Sequence, residues 1–205
     1  MILSNVAIHR ALNAGDIVID PEPSPRLPSL AAPSSPFDTT AVNLRLSPYL
    51  SVCRTAQPLA FDLRKPGLPS LLDKVYEPLE MDPTGGYSLK PNTFVLGSTV
   101  EVVKLPIRPK RPVYAARVEG RSSFARCGLL IHFTAPTIHA GFDGTITLEI
   151  MNFGLHDIIL YPDLHIAQLV FELVDGQPQR NDSQYQGQRR PSGAKGSAAK
   201  QSGRR

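Results

Sequence analysis

The chain has 205 residues, of which 41% are hydrophobic, so it can bury one core of ordinary size, which favours one domain over two. No apolar run approaches the roughly 20 residues that a membrane span requires, and the N-terminus lacks the basic lead and apolar stretch of a signal peptide. The formal charge is +4, but residues 189–205 carry six basic and no acidic residues, which leaves 4 − 6 = −2 for residues 1–188. We therefore predict a slightly acidic cytoplasmic domain with no membrane partner.

A short helix is predicted first. Ser4 is a suitable cap, apolar residues follow at helical spacing, and Gly15 is a suitable stop. A short strand over residues 17–19 comes next. Residues 21–36 contain six prolines, which predicts an extended loop within the domain.

The rest of the domain is predicted to be mainly β. Val42, Leu44 and Leu46 alternate with polar residues, as in a half-buried strand. Similar runs recur roughly every dozen residues with Pro or Gly between most of them, which favours antiparallel strands over alternating strands and helices. They cover residues 93–96, 99–103, 113–118, 129–133, 145–151, 158–160 and 166–173.

The C-terminal residues 189–205 are rich in Gly, Ser and Ala, and we predict that they form a disordered tail. A nucleic-acid role is the alternative reading of its basic charge. We favour a solubilising tail and predict no nucleic-acid partner.

The cysteines give no indication of a metal site. Cys53 and Cys127 have no CxxC partner and no clustered histidines, so we predict no zinc site and no other protein-held metal. A disulfide is possible on spacing alone, but two reduced core thiols are the expected state.

Two segments carry recognisable chemistry. The first, GRSSFAR over residues 120–126, sets two guanidinium groups and two hydroxyls among small residues, a composition suited to a polyphosphate. An isolated segment of this kind would read as a polar turn. The second, TAPTIHAGFDGTITLE over residues 134–149, ends in a strand whose polar face carries Thr145, Thr147 and Glu149.

Together these segments resemble the dCTP deaminase branch of the dUTPase-like nucleotide hydrolases, from the N-terminus to about Gln188. The resemblance implies a distorted β-barrel assembled as a homotrimer, with sites between subunits and dCTP as substrate. Residues 1–188 would form the enzyme domain, and residues 174–188 its C-terminal lid, unless they are a plain flexible end. Mg²⁺ would enter with the triphosphate.

The resemblance also assigns roles. Glu149 would be the catalytic carboxylate, Ser122 and Arg126 would stabilise the attacking water and the developing charge, and Arg121 would mainly serve phosphate. The other positions assigned to the substrate are Ser123, Phe124, Ala125, Phe133, Ala135, His139, Phe142, Thr147, Leu148, Gln184, Tyr185 and Gln188. Phe133 and Ala135 would act through their main chains, and Phe142 would pack under the sugar or simply belong to the core.

The assigned reaction is consistent with the residues present. Deamination needs a group that takes a proton from water and later delivers one to the departing ammonia, and one carboxylate can do both. Zinc deaminases carry HxE and PCxxC signatures, and this chain has neither. We therefore predict zinc-independent conversion of dCTP to dUTP and ammonia.

Two positions depart from the family pattern. His139 stands where most members have an aspartate, which dUTPases use to activate water, and Gln184 stands where lysine is common. A histidine supplies no fixed negative charge, so we expect the reaction to stop at dUTP. The rivals are a dUTP diphosphatase or bifunctional enzyme and, in another class, a non-catalytic nucleotide-binding trimer.

Overall fold

The computed structural model describes residues 1–54, 60–62, 64, 68–179 and 191. In chain order the helices and strands are α1 (Asn5–Asn13), β1 (Val18–Asp20), β2 (Val42–Arg45), β3 (Tyr49–Cys53), α2 (Leu68–Val75), β4 (Tyr76–Glu80), β5 (Tyr87–Leu89), β6 (Phe94–Lys104), β7 (Tyr114–Gly120), α3 (Ser122–Ala125), β8 (Leu129–Ile131), β9 (Thr137–Ile138), β10 (Asp143–Asn152), β11 (Ile158–Leu160) and β12 (His165–Leu173). The predicted mainly β fold with a short N-terminal helix is confirmed.

The leading helix forms as its sequence predicts. The Ser4 hydroxyl caps α1 by accepting a hydrogen bond from the Ala7 amide at 3.3 Å. Ile8 and Ala11 lie on its buried face, and Gly15 follows the helix with a φ of 67°. Among the described residues, every helix is too short or too polar to cross a bilayer.

In the part of the chain that the structure describes, all strand pairs are antiparallel and form three sheets. The largest has the order β4-β3-β6-β10-β8, with β1 also paired to β6. The second has the order β2-β12-β7-β9, and β11 pairs with β5. The sheets do not close into one continuous barrel within the described ranges, so the expected barrel is an open one.

The core lies between the two larger sheets. One face of the first sheet and one face of the second contribute fully buried apolar side chains to a single cluster, among them Leu50, Val95, Leu148, Ile150, Leu44, Leu169 and Phe171. The opposite face of the first sheet is more polar. It carries Glu149, the last residue of the segment 134–149.

The central pair β6–β10 differs from its prediction in one respect. Residues 93–96 and 99–103 were predicted to be separate strands because Gly97 and Ser98 interrupt the apolar pattern, but β6 runs unbroken across them. A Cβ on Gly97 would lie 2.9 Å from both Ile150 Cδ1 and Leu46 Cδ1. Gly97 therefore leaves room for the Ile150 and Leu46 side chains over β6 instead of ending a strand.

Other elements were not predicted from the sequence: β3, α2, β4, β5, α3 and β9. The prediction of core thiols was wrong, because both free cysteines are exposed. Pro191 is the one described residue of the predicted tail. It is buried, and its carbonyl accepts a hydrogen bond from the Ser51 hydroxyl.

Candidate active site

Glu149 lies in β10 on the polar face of the largest sheet and is half-buried. Its Oε2 accepts a hydrogen bond from the Phe133 amide at 3.2 Å, and its main-chain carbonyl accepts one from the His132 amide at 2.9 Å. Leu148 and Ile150 on either side point into the core. Strand alternation thus sets the direction of the carboxylate, and one hydrogen bond orients it.

The partner of Glu149 belongs to a tight turn that follows β8. His132 has a φ of 69°, an uncommon conformation for a residue with a side chain. The His132 Nε2 lies 2.9 Å from the Ala135 carbonyl oxygen, which can only accept, so Nε2 carries the proton. The imidazole therefore bridges the turn and supports the main-chain position of Phe133.

The polar face continues across the sheet from Glu149. Leu96 pairs with Glu149 on one side and with Ser51 on the other, so these three side chains share one face. Half-buried Thr147 is paired with Ser98 in the next row. The predicted third member, Thr145, is buried, because the register between β10 and β6 shifts after it.

The aromatic residue Tyr76 is affected by Glu149. Burial raises the pKa of the Tyr76 hydroxyl, and the Cys53 thiol and the Glu149 carboxylate raise it further. Tyr76 pairs with Cys53 across β3 and β4. Tyr76 is therefore kept protonated on the sheet face that carries Glu149.

The GRSSFAR segment forms the end of β7 and the single turn α3. Ser122, Ser123, Ala125 and Arg126 are exposed, and Phe124 packs against the core. The Arg126 amide bonds back to the Ser122 carbonyl at 3.3 Å. The segment thus presents two hydroxyls and a guanidinium to the outside on a short helical turn anchored by one aromatic ring.

Arg121 is held in place more firmly than Arg126. Its Nη1 donates to the His165 carbonyl at 3.0 Å, and its guanidinium lies 5.5 Å from the centre of the Phe124 ring. The side chain is half-buried. These contacts pre-orient the guanidinium, which reduces the entropy lost when it binds an anion.

Behind Arg121 lies a group of charged side chains. Glu101 is fully buried and accepts from the Arg45 Nε at 2.7 Å and from the Arg45 amide at 2.9 Å, while Arg45 also pairs with Asp163 at 3.0 Å. Burial lowers the pKa of the His165 imidazole, Arg121 and Arg45 lower it further, and Glu101 and Asp163 oppose the change. His165 is thus favoured as a neutral side chain beside Arg121.

The turn after α3 docks directly on the loop after β10. Gly128 has a φ of 88°, and a Cβ there would lie 2.3 Å from the Gly154 nitrogen. The Gly128 carbonyl accepts a hydrogen bond from the Phe153 amide at 2.8 Å. The loop itself is shaped by fully buried Asn152, which donates to the Leu89 and His156 carbonyls. The backbone of the turn after α3 therefore contacts the backbone of the loop after β10, and this contact fixes α3 relative to β10.

His139 and Phe142 lie at the opposite end of β10 from this contact. The Phe142 amide donates to the His139 carbonyl at 3.2 Å, which closes a turn, and His139 is exposed. Phe142 is partly buried against the core, in agreement with one of its two predicted roles. Leu148 is fully buried, so only its main chain is available to a ligand.

The structure thus arranges the predicted residues in three groups: Glu149 with Phe133 and Ala135, Arg121 with α3, and His139 with Phe142. At about 3.3 Å per strand residue, Phe142 lies roughly 20 Å from Glu149 along β10. Gln184, Tyr185 and Gln188 lie outside the described residues.

Sequence reasoning missed three residues near Glu149: His132, Phe94 and Phe153. His132 has no ligand spacing in the sequence to mark it, but its side chain supports the turn that holds the candidate catalytic carboxylate. Phe94 begins β6 and Phe153 lies in the loop after β10, and both contact Phe133 only in the folded chain, so no local pattern indicated them. Across the described residues, no three His, Cys, Asp or Glu side chains are grouped closely enough to hold a metal ion.

Comparison with known proteins identifies the family to which this mainly β chain belongs. The dCTP deaminase-like family model matches residues 2–174, so the chain belongs to that family. The chain is 36% identical over 197 residues to a protein named "dCTP deaminase, dUMP-forming" from Methanothermobacter thermautotrophicus, covering 93% of this chain and 91% of the relative. A protein of the same name from Thermobifida fusca is 37% identical over 201 residues, covering 93% and 90%.

A solved structure supports the fold. The 2'-deoxycytidine 5'-triphosphate deaminase from Agrobacterium tumefaciens has a TM-score of 0.57 and 16% sequence identity to this chain. The match covers 84% of this chain and 48% of that one, so the present chain spans about half of its length.

Proposed function

We propose that the protein deaminates dCTP hydrolytically, giving dUTP and ammonia. The observation that carries this proposal is the Glu149 carboxylate, which stands half-buried on a polar sheet face with one oxygen anchored by the Phe133 amide. The relatives named dCTP deaminase support the substrate. A protein that only binds nucleotide has no need of an oriented carboxylate at this point.

In the proposed reaction, Glu149 takes a proton from water as the oxygen attacks C4 of cytosine. The carbon becomes tetrahedral and its double bond to N3 becomes single as Glu149 passes this proton to N3. Glu149 then takes the proton of the new C4 hydroxyl and delivers it to the amino group, which leaves as ammonia while the C4 oxygen becomes a carbonyl. We assign Oε1 to this proton transfer, because Oε2 is engaged with Phe133. Ser122 and Arg126 would stabilise the charge that develops.

The turn after β8 offers a means of reading the base. The Phe133 amide and the Ala135 carbonyl are already used within the protein. We therefore assign the Phe133 carbonyl to the cytosine amino group, a donor, and the Ala135 amide to a ring acceptor. A uracil ring, with a carbonyl in place of the amino group, would meet the Phe133 carbonyl unfavourably.

We propose that no protein-bound zinc takes part and that Mg²⁺ enters on the triphosphate. The missing HxE and PCxxC signatures support the first statement. The second rests on the chemistry of Mg²⁺, which binds through one or two carboxylates and substrate phosphates. Activity should survive a zinc-selective chelator and respond to Mg²⁺ in proportion to its occupancy of the nucleotide.

We also propose a homotrimer whose sites lie between subunits. Ser122 and Arg126 are exposed on α3, and the docking point of α3 lies near Asn152, about 10 Å along β10 from Glu149. A second copy would then supply α3 to the carboxylate of the first.

Mixing two inactive variants tests this arrangement. If equal amounts of Glu149→Gln and Arg126→Ala chains are denatured and refolded together, about a quarter of all sites would pair an intact Glu149 with an intact Arg126, since each condition is met half the time. Sites within one subunit would show no recovery. Light scattering on the wild type would give the oligomeric mass.

The product distinguishes two candidate functions. His139 in place of the usual aspartate favours release of dUTP, because an imidazole supplies no fixed negative charge to activate a water that attacks the phosphate chain. The names of the relatives, "dUMP-forming", favour a second candidate in which dUTP is hydrolysed further to dUMP and pyrophosphate.

The deciding experiment incubates the purified protein separately with dCTP and dUTP and measures ammonia, pyrophosphate and nucleotides. Ammonia and dUTP without pyrophosphate would support our proposal. Pyrophosphate and dUMP at a rate close to ammonia release would support the second candidate. Nucleotide binding without either product would favour the non-catalytic alternative.

A further inference from the structure

Phe153 contacts the residue that orients Glu149. The centres of the Phe153 and Phe133 rings are 6.2 Å apart with planes inclined at 61°, and Phe133 makes a similar contact with Phe94 at 5.8 Å. Edge-to-face contacts at such distances are attractive and directional. The Phe133 ring is therefore braced from two sides while its amide holds the Glu149 carboxylate.

The main chain of Phe153 contacts the other half of the site. Its amide donates to the Gly128 carbonyl at 2.8 Å. Gly128 is in turn tied to α3, because its amide donates to the Ala125 carbonyl at 3.0 Å. The ring of Phe153 thus contacts Phe133, which holds the Glu149 carboxylate, and its backbone contacts the segment that carries Ser122 and Arg126.

From these contacts we infer that Phe153 is a positioning residue for deamination. It sets the position of Phe133, and so of the Glu149 carboxylate, relative to α3. This inference rests on the proposed function. In the proposed trimer the two segments of one chain serve neighbouring sites, so Phe153 would hold the two segments of its own chain at a fixed distance from each other.

Because Phe153 is partly exposed, the effect of its substitution on positioning can be distinguished from the effect on stability. The residue is 53% exposed, so truncation removes about half of the burial of a core phenylalanine and should lower the melting temperature by roughly 5 °C, which leaves the protein folded at the assay temperature. A small displacement of a reacting group, in contrast, lowers the rate steeply. Leu155 in the same loop is 89% exposed and is the matched control for loss of an apolar side chain.

The experiment compares Phe153→Ala, Phe153→Leu and Phe153→Tyr with Leu155→Ala. We expect Phe153→Ala and Phe153→Leu to lower kcat for dCTP deamination about tenfold with little change in KM. Phe153→Tyr should retain more than half of wild-type kcat, because it keeps the ring and its outer edge is open to solvent. Wild-type kcat in both Phe153→Ala and Phe153→Leu, or a tyrosine variant as impaired as alanine, would overturn the inference.

A second readout does not depend on turnover. Amide hydrogen exchange followed by NMR should show the Phe133 amide exchanging at least about tenfold faster in Phe153→Ala than in wild type or Leu155→Ala. If the wild type released no ammonia, the proposed function would fail, but this measurement would still test whether Phe153 holds Phe133 in place. Unchanged exchange at Phe133 would contradict the positioning role.

Discussion

Replacing Glu149 by glutamine isolates its proton-transfer role from its structural role. The Oε2 atom accepts one hydrogen bond, from the Phe133 amide at 3.2 Å. A glutamine has the same shape and can place its carbonyl oxygen there, so the turn after β8 should stay in position. What it cannot do is take a proton from water. We therefore expect nearly unchanged folding and dCTP binding within about tenfold of wild type.

The expected loss of rate follows from the chemistry. General acid–base groups contribute about 10²–10⁴-fold, or about 3 to 5 kcal/mol of activation free energy, and kcat should fall by that factor. Ammonia release in a coupled assay measures kcat, and calorimetric titration with dCTP measures binding. A glutamine variant that kept more than about a tenth of the wild-type rate would refute the assignment of Glu149 as the base.

Glu149→Ala is the matched comparison. It removes the acceptor as well and leaves the half-buried Phe133 amide without its partner, at a cost of about 1 kcal/mol, or a melting temperature lower by about 3 °C. The glutamine variant should not show this decrease. Equal thermal stability for the two variants would mean that the Phe133 hydrogen bond contributes nothing measurable.

Three further predictions follow from the geometry. Arg121→Ala should chiefly raise KM and Arg126→Ala should chiefly lower kcat, and identical kinetic signatures would defeat this division. Burial lowers the pKa of His165 in the folded protein below its value of about 6.5 in the unfolded chain. The contribution of neutral His165 to stability is therefore complete above about pH 6.5 and is lost as the pH falls below that value. The melting temperature should decrease from pH 7 to 5.5, and it should decrease less in His165→Gln. Gly128→Ala should prevent normal folding, because its Cβ would overlap the backbone of Gly154. Gly176 has a similar φ and no atom within 4 Å, so Gly176→Ala should lower the free energy of unfolding by only about 1 kcal/mol. Similar melting temperatures for the two variants would argue against the contact between Gly128 and Gly154.

The strands that could be predicted are those with one buried and one polar face. The second half of β10 shows this alternation in both sequence and burial. The alternation in the sequence of Val42–Arg45 located that strand, but the strand is not half-buried as predicted, because Asn43 is buried too and bonds to Pro36 and Asp38. β4 could not be predicted, because Pro78 interrupts its pattern. The structure shows why proline is tolerated there: β4 is the outer strand of its sheet, where a missing amide need not break a ladder.

The candidate site was predictable only in its local parts. Strand alternation placed Glu149 on the polar face, and the composition of GRSSFAR indicated an anion-binding turn. The hydrogen bond from Phe133 to Glu149 depends on the unusual backbone of His132 and on pairing between β8 and β10. Such contacts join distant residues and leave no periodic signal, so the sequence could not reveal what orients the carboxylate.

The hydrogen bond from Ser51 to the Pro191 carbonyl has a practical use. Ser51 and Glu149 flank Leu96 in adjacent strands and share a face, so they are separated by two strand spacings, about 10 Å. Pro191 follows the segment that the family resemblance assigns to the lid. An environment-sensitive fluorophore attached at position 191 would thus sit beside the candidate catalytic carboxylate, and its emission would report occupancy of the nucleotide site in real time without any chemistry taking place.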